Sequence, residues 1–373
     1  MVNINLQCPI NKLGYGIAGL NIFKSLSKIA NVALHVIGNP SVGSQEDANL
    51  VQAGMTKAQT FNHKAPCIKI WHQNQMAERI GSGKFIGFPI FELDTFSDLE
   101  KHHLSSCDEL MVCSQWAKSI VMDQCPPLKY EAYGLGAKPS EAIGKPDGSR
   151  VHVVPLGVDT NIFRPAIPTA ANGKTIFFNC GKWEVRKGHD VLLEAFELTL
   201  LHHDNIELWM MCENPFNSPT EEAKWKRLYS HPKVKLIPRA ETQQEVYNIM
   251  SQIDCGIFPS RGEGWNLELL EMMAAGKPVI ATNYSAHTEF CNKDNCRLIE
   301  IQDTEPALDG KWFFGQGNWA ALGPDQIVDI SMAMRDFIDN GQRFNHAGLE
   351  TAKQYSWDNT ADAILNKLRE DAI

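Results

Sequence analysis

The sequence predicts an α/β protein with two successive parallel sheets, and two observations carry that expectation. Short apolar, strand-like runs alternate with longer amphipathic stretches along the chain, as expected of strands covered by crossover helices. At 373 residues the chain exceeds what one ordinary core uses, and the strand series starts afresh near its middle.

The first series comprises VNINLQ, VALHVIG, CIKIWHQ, FIGFPIF, ELMVCS and VHVVPLG, with helices such as Ala18 to Ile29 and Ser114 to Met122 between them. The second comprises TIFFNCG, IELWMMCE, VKLIPR, CGIFPS, PVIATN and CRLIEI. Together they imply two Rossmann-like domains, residues 1–165 and 166–355. The boundary is expected in the Pro165 to Lys174 stretch, where Pro, Ala, Asn and Gly interrupt any periodicity. The run QCPPLKYEAYGLGAKPSEAIGKPDGSR reads as a surface insertion or helical excursion. An amphipathic helix over residues 356–373, capped by Ser356 or Asp358, ends the chain. There is no internal repeat of solenoid length.

Composition sets limits. A hydrophobic fraction of 43% and a charged fraction of 21% are those of a folded globular chain. Neither a secretion signal nor an apolar run long enough to span a membrane is apparent. Ten cysteines stand scattered, without CxxC or zinc-type spacing, several inside apolar runs. They read as reduced, buried thiols of a reducing, cytoplasmic compartment. The formal net charge of −9 runs against a nucleic-acid partner, which normally meets a concentrated basic face.

The most informative segment is CGIFPSRGEGWNLELLEMMAAGKPVIATNYSAHTEF, Cys255 to Phe290, read as strand, Gly-rich loop, helix, turn and strand. Ligands of parallel sheets bind where such loops leave the strands' C-terminal ends. Gly262 and Gly264 allow close backbone approach, and Asn266 is a good N-cap for a helix from about Leu267 to Ala275. The unpaired N–H groups of its first turn suit a diphosphate. Glu263 precedes the turn, and Glu271 lies roughly 7 Å along the helix. One carboxylate can therefore meet a sugar beyond the phosphates and the other a ribose behind them. Taken alone, Glu271 is more often a solvated surface carboxylate. A second element, TIFFNCGKWEVRKGHDVLLEAF, sets Lys182, Arg186 and Lys187 in the loop after a strand. Those cations could neutralise a leaving diphosphate, although for a lone Lys-Arg-Lys cluster ordinary surface charge is the better explanation.

Seven residues separate Glu263 from Glu271 within PSRGEGWNLELLEMMAAGKPVIAT, and that run resembles the signature of glycosyltransferase family 4. The resemblance implies a GT-B fold: two Rossmann-like domains facing a central cleft, with the C-terminal helix packing back toward the N-terminal domain. It implies a retaining, metal-independent transfer from a nucleotide-diphosphate sugar to an acceptor hydroxyl on a glycan, lipid-linked or small molecule. On the family pattern, Glu263 contacts the donor sugar and Glu271 the ribose. Lys182 and Lys187 occupy its basic positions, Lys182 where Arg is usual, with Arg186 as a compensating candidate. Gly264, Trp265, Asn266 and Leu267 open the donor-binding helix, and Trp265-Asn266 stands where the family often has an aromatic followed by Gly.

The resemblance extends with lower specificity to the N-terminal half. NKLGYGIAGL, Asn11 to Leu20, resembles the Gly-rich loop that lies against the donor, so Gly14 and Gly16 are carried over. After FIGFPIF, where many members have a sugar-contacting His, this chain has Glu92 and Asp94. Glu92 is the candidate for the sugar or acceptor hydroxyl, its competing reading a cap for the next helix. His72 is the other candidate, its competing reading a structural histidine. Domain closure about the segment near Pro165 would complete the site. The implied partners are a nucleotide sugar and a hydroxyl-bearing acceptor, with peripheral membrane contact left open and no cofactor or metal. Two readings compete: a glycosyltransferase acting on DNA or tRNA, and a non-catalytic GT-B binding subunit.

Overall fold

The computed structural model describes residues 1–127, 146–166 and 173–370. The chain forms two compact units, Met1–Gly157 with Tyr355–Ile373, and Val158–Gln354. Much of the Pro165 to Lys174 stretch and of the expected surface insertion lies outside the described residues.

In unit 1 the elements run β1 (Asn3–Cys8), α1 (Gly14–Ile29), β2 (Asn31–Val36), α2 (Gln45–Ala58), β3 (Cys67–Trp71), β4 (Phe85–Pro89), α3 (Asp98–Ser105), β5 (Glu109–Val112), α4 (Gln115–Gln124) and β6 (Val151–Val153). Its six strands are all parallel, in the order β2-β1-β3-β4-β5-β6. The sheet reverses direction of growth between β1 and β3, the crevice where ligands of doubly wound sheets bind. Its core joins Phe85, Phe91, Leu104, Leu110 and Val121.

Helix α1 begins at Gly14, four residues before the expected Ala18, so most of the supposed Gly-rich loop is already helix. Contact explains Gly16 better than loop freedom does. A Cβ on Gly16 would lie 2.3 Å from the Asn11 backbone nitrogen. Helix α4 starts as expected, Ser114 accepting the Ala117 N–H at 3.1 Å.

Unit 2 contains β7 (Thr175–Gly181), α5 (His189–Leu200), β8 (Ile206–Cys212), α6 (Pro219–Leu228), β9 (Val234–Leu236), α7 (Gln243–Met250), β10 (Cys255–Phe258), α8 (Leu267–Ala274), β11 (Val279–Thr282), α9 (His287–Phe290) and β12 (Arg297–Ile299). There follow β13 (Thr304–Leu308), β14 (Phe314–Ala320), α10 (Pro324–Asn340) and α11 (His346–Gln354). The parallel sheet runs β12-β11-β10-β7-β8-β9. Its first and fourth strands in chain order, β7 and β10, are therefore neighbours at its switch point. Phe177, Leu192, Leu208 and Ile257 meet Met334 and Phe337 of α10 in its core, each such apolar side chain contributing about 1.5–3 kcal/mol by leaving water.

The twelve parallel strands coincide with the twelve expected runs, while the antiparallel pair β13–β14 was not foreseen. Its strands carry Pro306, Gly315 and Gly317 and little apolar alternation. The last helix, α12 (Trp357–Glu370), belongs to unit 1. Asn359 donates its N–H to Ser356 Oγ at 3.1 Å, so Ser356 is the cap. Thr360 Oγ1 donates to Pro155 O at 2.8 Å, and Asp358 pairs with Lys28 of α1 at 2.8 Å. All ten cysteines are buried and free. No helix among the described residues is long and apolar enough to cross a membrane.

Candidate functional site

The loops that leave β7 and β10 lie side by side in unit 2. The Arg261 N–H donates to Arg186 O at 2.7 Å, and Arg186 Nη1 to Gly262 O at 2.6 Å. Gly188 permits this approach: its φ is +73°, and a Cβ there would sit 2.0 Å from Pro259 O, so a side chain meets both strain and collision. Buried His189, the first residue of α5, shapes the β7 loop from below. Its Nδ1 accepts the Glu184 N–H at 3.2 Å, and its Nε2 faces Asn179 Oδ1 at 2.9 Å. Burial, with the Lys187 charge behind it, lowers its pKa to about 3, which keeps the ring neutral.

Across this junction three cations and two carboxylates form one chain. Lys182 Nζ meets Glu184 Oε1 at 2.6 Å, and Glu184 Oε2 accepts Arg186 Nη2 at 2.8 Å. Arg186 Nη1 and Lys187 Nζ each lie 2.9 Å from a Glu263 oxygen. Ser260 Oγ adds a hydrogen bond to Glu263 at 2.7 Å. Burial alone would raise the Glu263 carboxyl, but Lys187 and Arg186 more than offset it and hold it far below the usual carboxylate range. The same pairing, acting against burial, raises Lys187. Both groups therefore stay charged across the physiological range, with one positive charge in excess over the five side chains. Lys182, with a side chain 36% exposed, is the most open of the cations.

Helix α8 starts beside Glu263. Asn266 has φ +85° and ψ 79°, and its Oδ1 accepts the Leu269 N–H at 3.2 Å. The left-handed backbone explains the departure from the family pattern, because Gly adopts that region freely and Asn tolerates it better than most residues. Asn also supplies a cap that Gly lacks. Its amide is oriented by His287: Nδ1 lies 2.9 Å from Thr282 O, which leaves Nε2 to accept the Asn266 Nδ2 proton at 2.8 Å. Leu267 opens the helix, Gly264 is buried before it, and buried Trp265 packs on Phe290 at 4.8 Å. The first-turn N–H groups and helix dipole make this end attractive to an anion.

Glu271 is buried, contrary to its reading as a surface carboxylate. Gln243 Nε2 of α7 donates to its Oε1 at 3.2 Å. Burial, reinforced by Glu268, raises its pKa to about 8, so it is largely protonated at neutral pH. Two glutamates on one loop and helix are thus held in opposite protonation states by their surroundings.

The remaining candidates belong to unit 1. Tyr15, between Gly14 and Gly16, donates to Ile90 O and lies 3.3 Å from His72 Nδ1. It draws together the start of α1, the end of β3 and the loop after β4, on which Glu92 is half-buried. Sequence reasoning passed over Tyr15, although its place between two candidate glycines was a usable signal. Neither Glu92 nor Asp94 caps α3: Ser97 does, in a reciprocal box with Glu100. His287, Ser260, Ser285 and Gln243 were also passed over, and only their partners in space reveal them. Ser285 Oγ, for example, accepts the Glu263 N–H at 2.8 Å. Among the described residues, no group of three or more His, Cys, Asp or Glu side chains could hold a metal ion.

Known proteins resemble this chain. Residues 173–309 match the family model for glycosyl transferases group 1. The chain is 26% identical over 217 residues to an MMP α-(1→4)-mannosyltransferase of Mycolicibacterium hassiacum, covering 57% of this chain and 46% of that protein. It is 24% identical over 233 residues to a D-inositol 3-phosphate glycosyltransferase of Segniliparus rotundus, covering 60% and 47%. It thus spans about half the length of the curated relatives it matches. Among solved structures, sucrose-phosphate synthase from Thermosynechococcus elongatus superposes with a TM-score of 0.67 at 13% identity, covering 99% of both chains. Anabaena HepE in complex with UDP and glucose gives 0.66 at 14% identity, again covering 99% of both. These likenesses show the GT-B fold.

Proposed function

We propose that the chain is a retaining glycosyltransferase that moves a sugar from a nucleoside-diphosphate sugar to an acceptor hydroxyl. One observation carries this reading: Lys187, Arg186 and Glu263 are assembled beside the start of α8, with Glu271 on the same helix. A cationic, N–H-rich end suits a diphosphate, and carboxyl groups to either side suit the hydroxyls of two sugars. The relatives' names, a mannosyltransferase and an inositol phosphate glycosyltransferase, and the UDP and glucose of the HepE structure support the same chemistry.

In the proposed reaction the donor's anomeric C–O bond breaks and the diphosphate leaves with the electron pair. The acceptor oxygen bonds to the anomeric carbon from the same face, and its proton passes to the departing phosphate. Lys182, Lys187 and the α8 N–H groups stabilise the developing negative charge. Glu263 holds the transferred sugar, and Glu271, protonated below about pH 8, donates to or accepts from a ribose hydroxyl. No divalent ion is assigned a part. In unit 1, Glu92 and the Gly14–Gly16 start of α1 are the candidates for sugar or acceptor hydroxyl. The acceptor class is a glycan, a lipid-linked molecule or a small molecule, and buried, reduced thiols suit a cytoplasmic enzyme.

The test is a panel of UDP-, GDP- and ADP-sugars, scored by thermal shift and slow donor hydrolysis with and without EDTA. Stabilisation and EDTA-resistant hydrolysis by one donor are expected, with the released sugar in the donor's anomeric configuration. Binding without hydrolysis or transfer would favour a non-catalytic subunit, and binding of none would overturn the reading.

A further inference from the structure

Unit 2 carries a recess whose chemistry differs from that of the charged junction. A cleft of about 310 Å³ is lined by Trp183, Asn214, Glu221, Trp225, Lys311 and Trp312 among others. Its volume lies at the lower end of small-ligand sites, roughly 300–1,000 Å³. Trp183 and Trp225 are stacked, with ring centroids 5.6 Å apart and planes inclined by 6°. Trp312, on the loop between β13 and β14, is 51% exposed and meets Phe216 edge-on at 5.9 Å.

An exposed indole on a hairpin tip would ordinarily be loosely held, but this one is fixed on two sides. Asp309 Oδ1 accepts the N–H groups of Lys311, Trp312 and Phe313 at 2.8, 2.8 and 2.9 Å, which sets the loop's conformation. Lys311 Nζ then ties the loop to α6 and the chain before it, donating to Phe216 O at 2.8 Å, Asn217 Oδ1 at 2.9 Å and both Glu221 oxygens at 3.1 Å. The aromatic wall is therefore preorganised, which reduces the entropy lost on binding.

The charges at this cleft are largely spent on one another. Lys311 is engaged by Glu221, and Glu184, which also lines the cleft, is held by Lys182 and Arg186. A phosphate would meet three carboxylates here, those of Glu184, Glu221 and Asp309, against the two lysines of the lining, Lys224 and Lys311. What remains suits a neutral, hydroxylated ring: flat indoles for its C–H face, and amide and carboxylate oxygens at the edges for its hydroxyls.

We propose that this cleft is a carbohydrate-binding site for one or two units of a neutral glycan, separate from the nucleotide-sugar site assigned above. It does not depend on that assignment, since it concerns binding alone. The experiment uses the full chain with maltotriose, cellotriose, α-1,6-mannotriose and chitotriose, and trigalacturonate as an anionic control. Tryptophan fluorescence and saturation-transfer NMR report binding, and UDP affinity is measured in parallel. At least one neutral trisaccharide is expected to bind and perturb tryptophan emission. Trp312→Ala should weaken it about tenfold or more while Trp312→Phe retains part of the affinity, with UDP affinity and the thermal midpoint unchanged. Failure of all four neutral sugars to bind, stronger binding of trigalacturonate, competition by UDP, or undiminished binding by Trp312→Ala would each overturn the proposal. The UDP titration separately reports whether the nucleotide site exists.

Discussion

The opposed protonation of the two glutamates offers a test that needs no substrate. Glu271 is buried, and its pKa rises from the ordinary 4.5 to about 8 in the folded chain. A folded-state pKa above the unfolded value means that the folded form holds the proton more tightly. The associated stability is complete below pH 4.5, declines as pH rises, and is lost once pH passes about 8. Each pH unit within that window costs up to about 1.4 kcal/mol, and the whole window sets an upper bound of about 5 kcal/mol. Glu271→Gln keeps the shape and the acceptor oxygen facing Gln243 but cannot ionise. Urea denaturation of both proteins at half-unit steps from pH 4.5 to 8.5 isolates the effect, because every other titrating group is common to both. The variant's stability relative to the parent should climb with pH by several kcal/mol, steepest between about pH 5 and 8. A difference that stays flat within about 0.5 kcal/mol would show that Glu271 ionises as an ordinary carboxyl, and the assigned burial would be refuted.

Three further outcomes follow from the same geometry. Lys187→Ala leaves Glu263 buried with one cation fewer, which should cost roughly 3–5 kcal/mol in denaturant melts; in an active preparation it should lower turnover roughly 10²–10³-fold. At Asn266, Gly keeps the left-handed backbone and should cost only a few tenths of a kcal/mol. Ala there loses the cap and strains φ, costing about 2 kcal/mol, so thermal midpoints should fall in the order Asn, Gly, Ala. Gly16→Ala forces a methyl group against the Asn11 backbone and should lower the melting temperature of unit 1, whereas Gly14→Ala, whose Cβ would meet nothing within 4 Å, should be far milder; equal effects would argue against close packing at this turn.

The chain's own pattern determined a good deal. Central strands such as β4, β5, β10 and β11 announced themselves as apolar runs because a parallel strand covered on both faces has no polar side to show. Asn266 and Ser356 were readable as caps because an N-cap acts on N–H groups two or three residues away. The spacing of Glu263 and Glu271 was visible for the same reason, since both lie on one loop and the helix it enters.

Tertiary structure decided the rest. Only the strand order makes β7 and β10 neighbours, and only that adjacency sets Arg186 and Lys187 against Glu263, a partner more than seventy residues away. Glu271 has a helical position compatible with solvent or interior, and only the folded chain shows it buried, with Gln243 of α7 donating to it. The β13–β14 hairpin carries too little apolar alternation to be read locally; contacts such as Arg261 with Glu305 at 2.8 Å hold it in place. Local sequence reports what neighbouring residues can do to one another, whereas charge state and partnership depend on which distant segments the fold brings within a few ångströms.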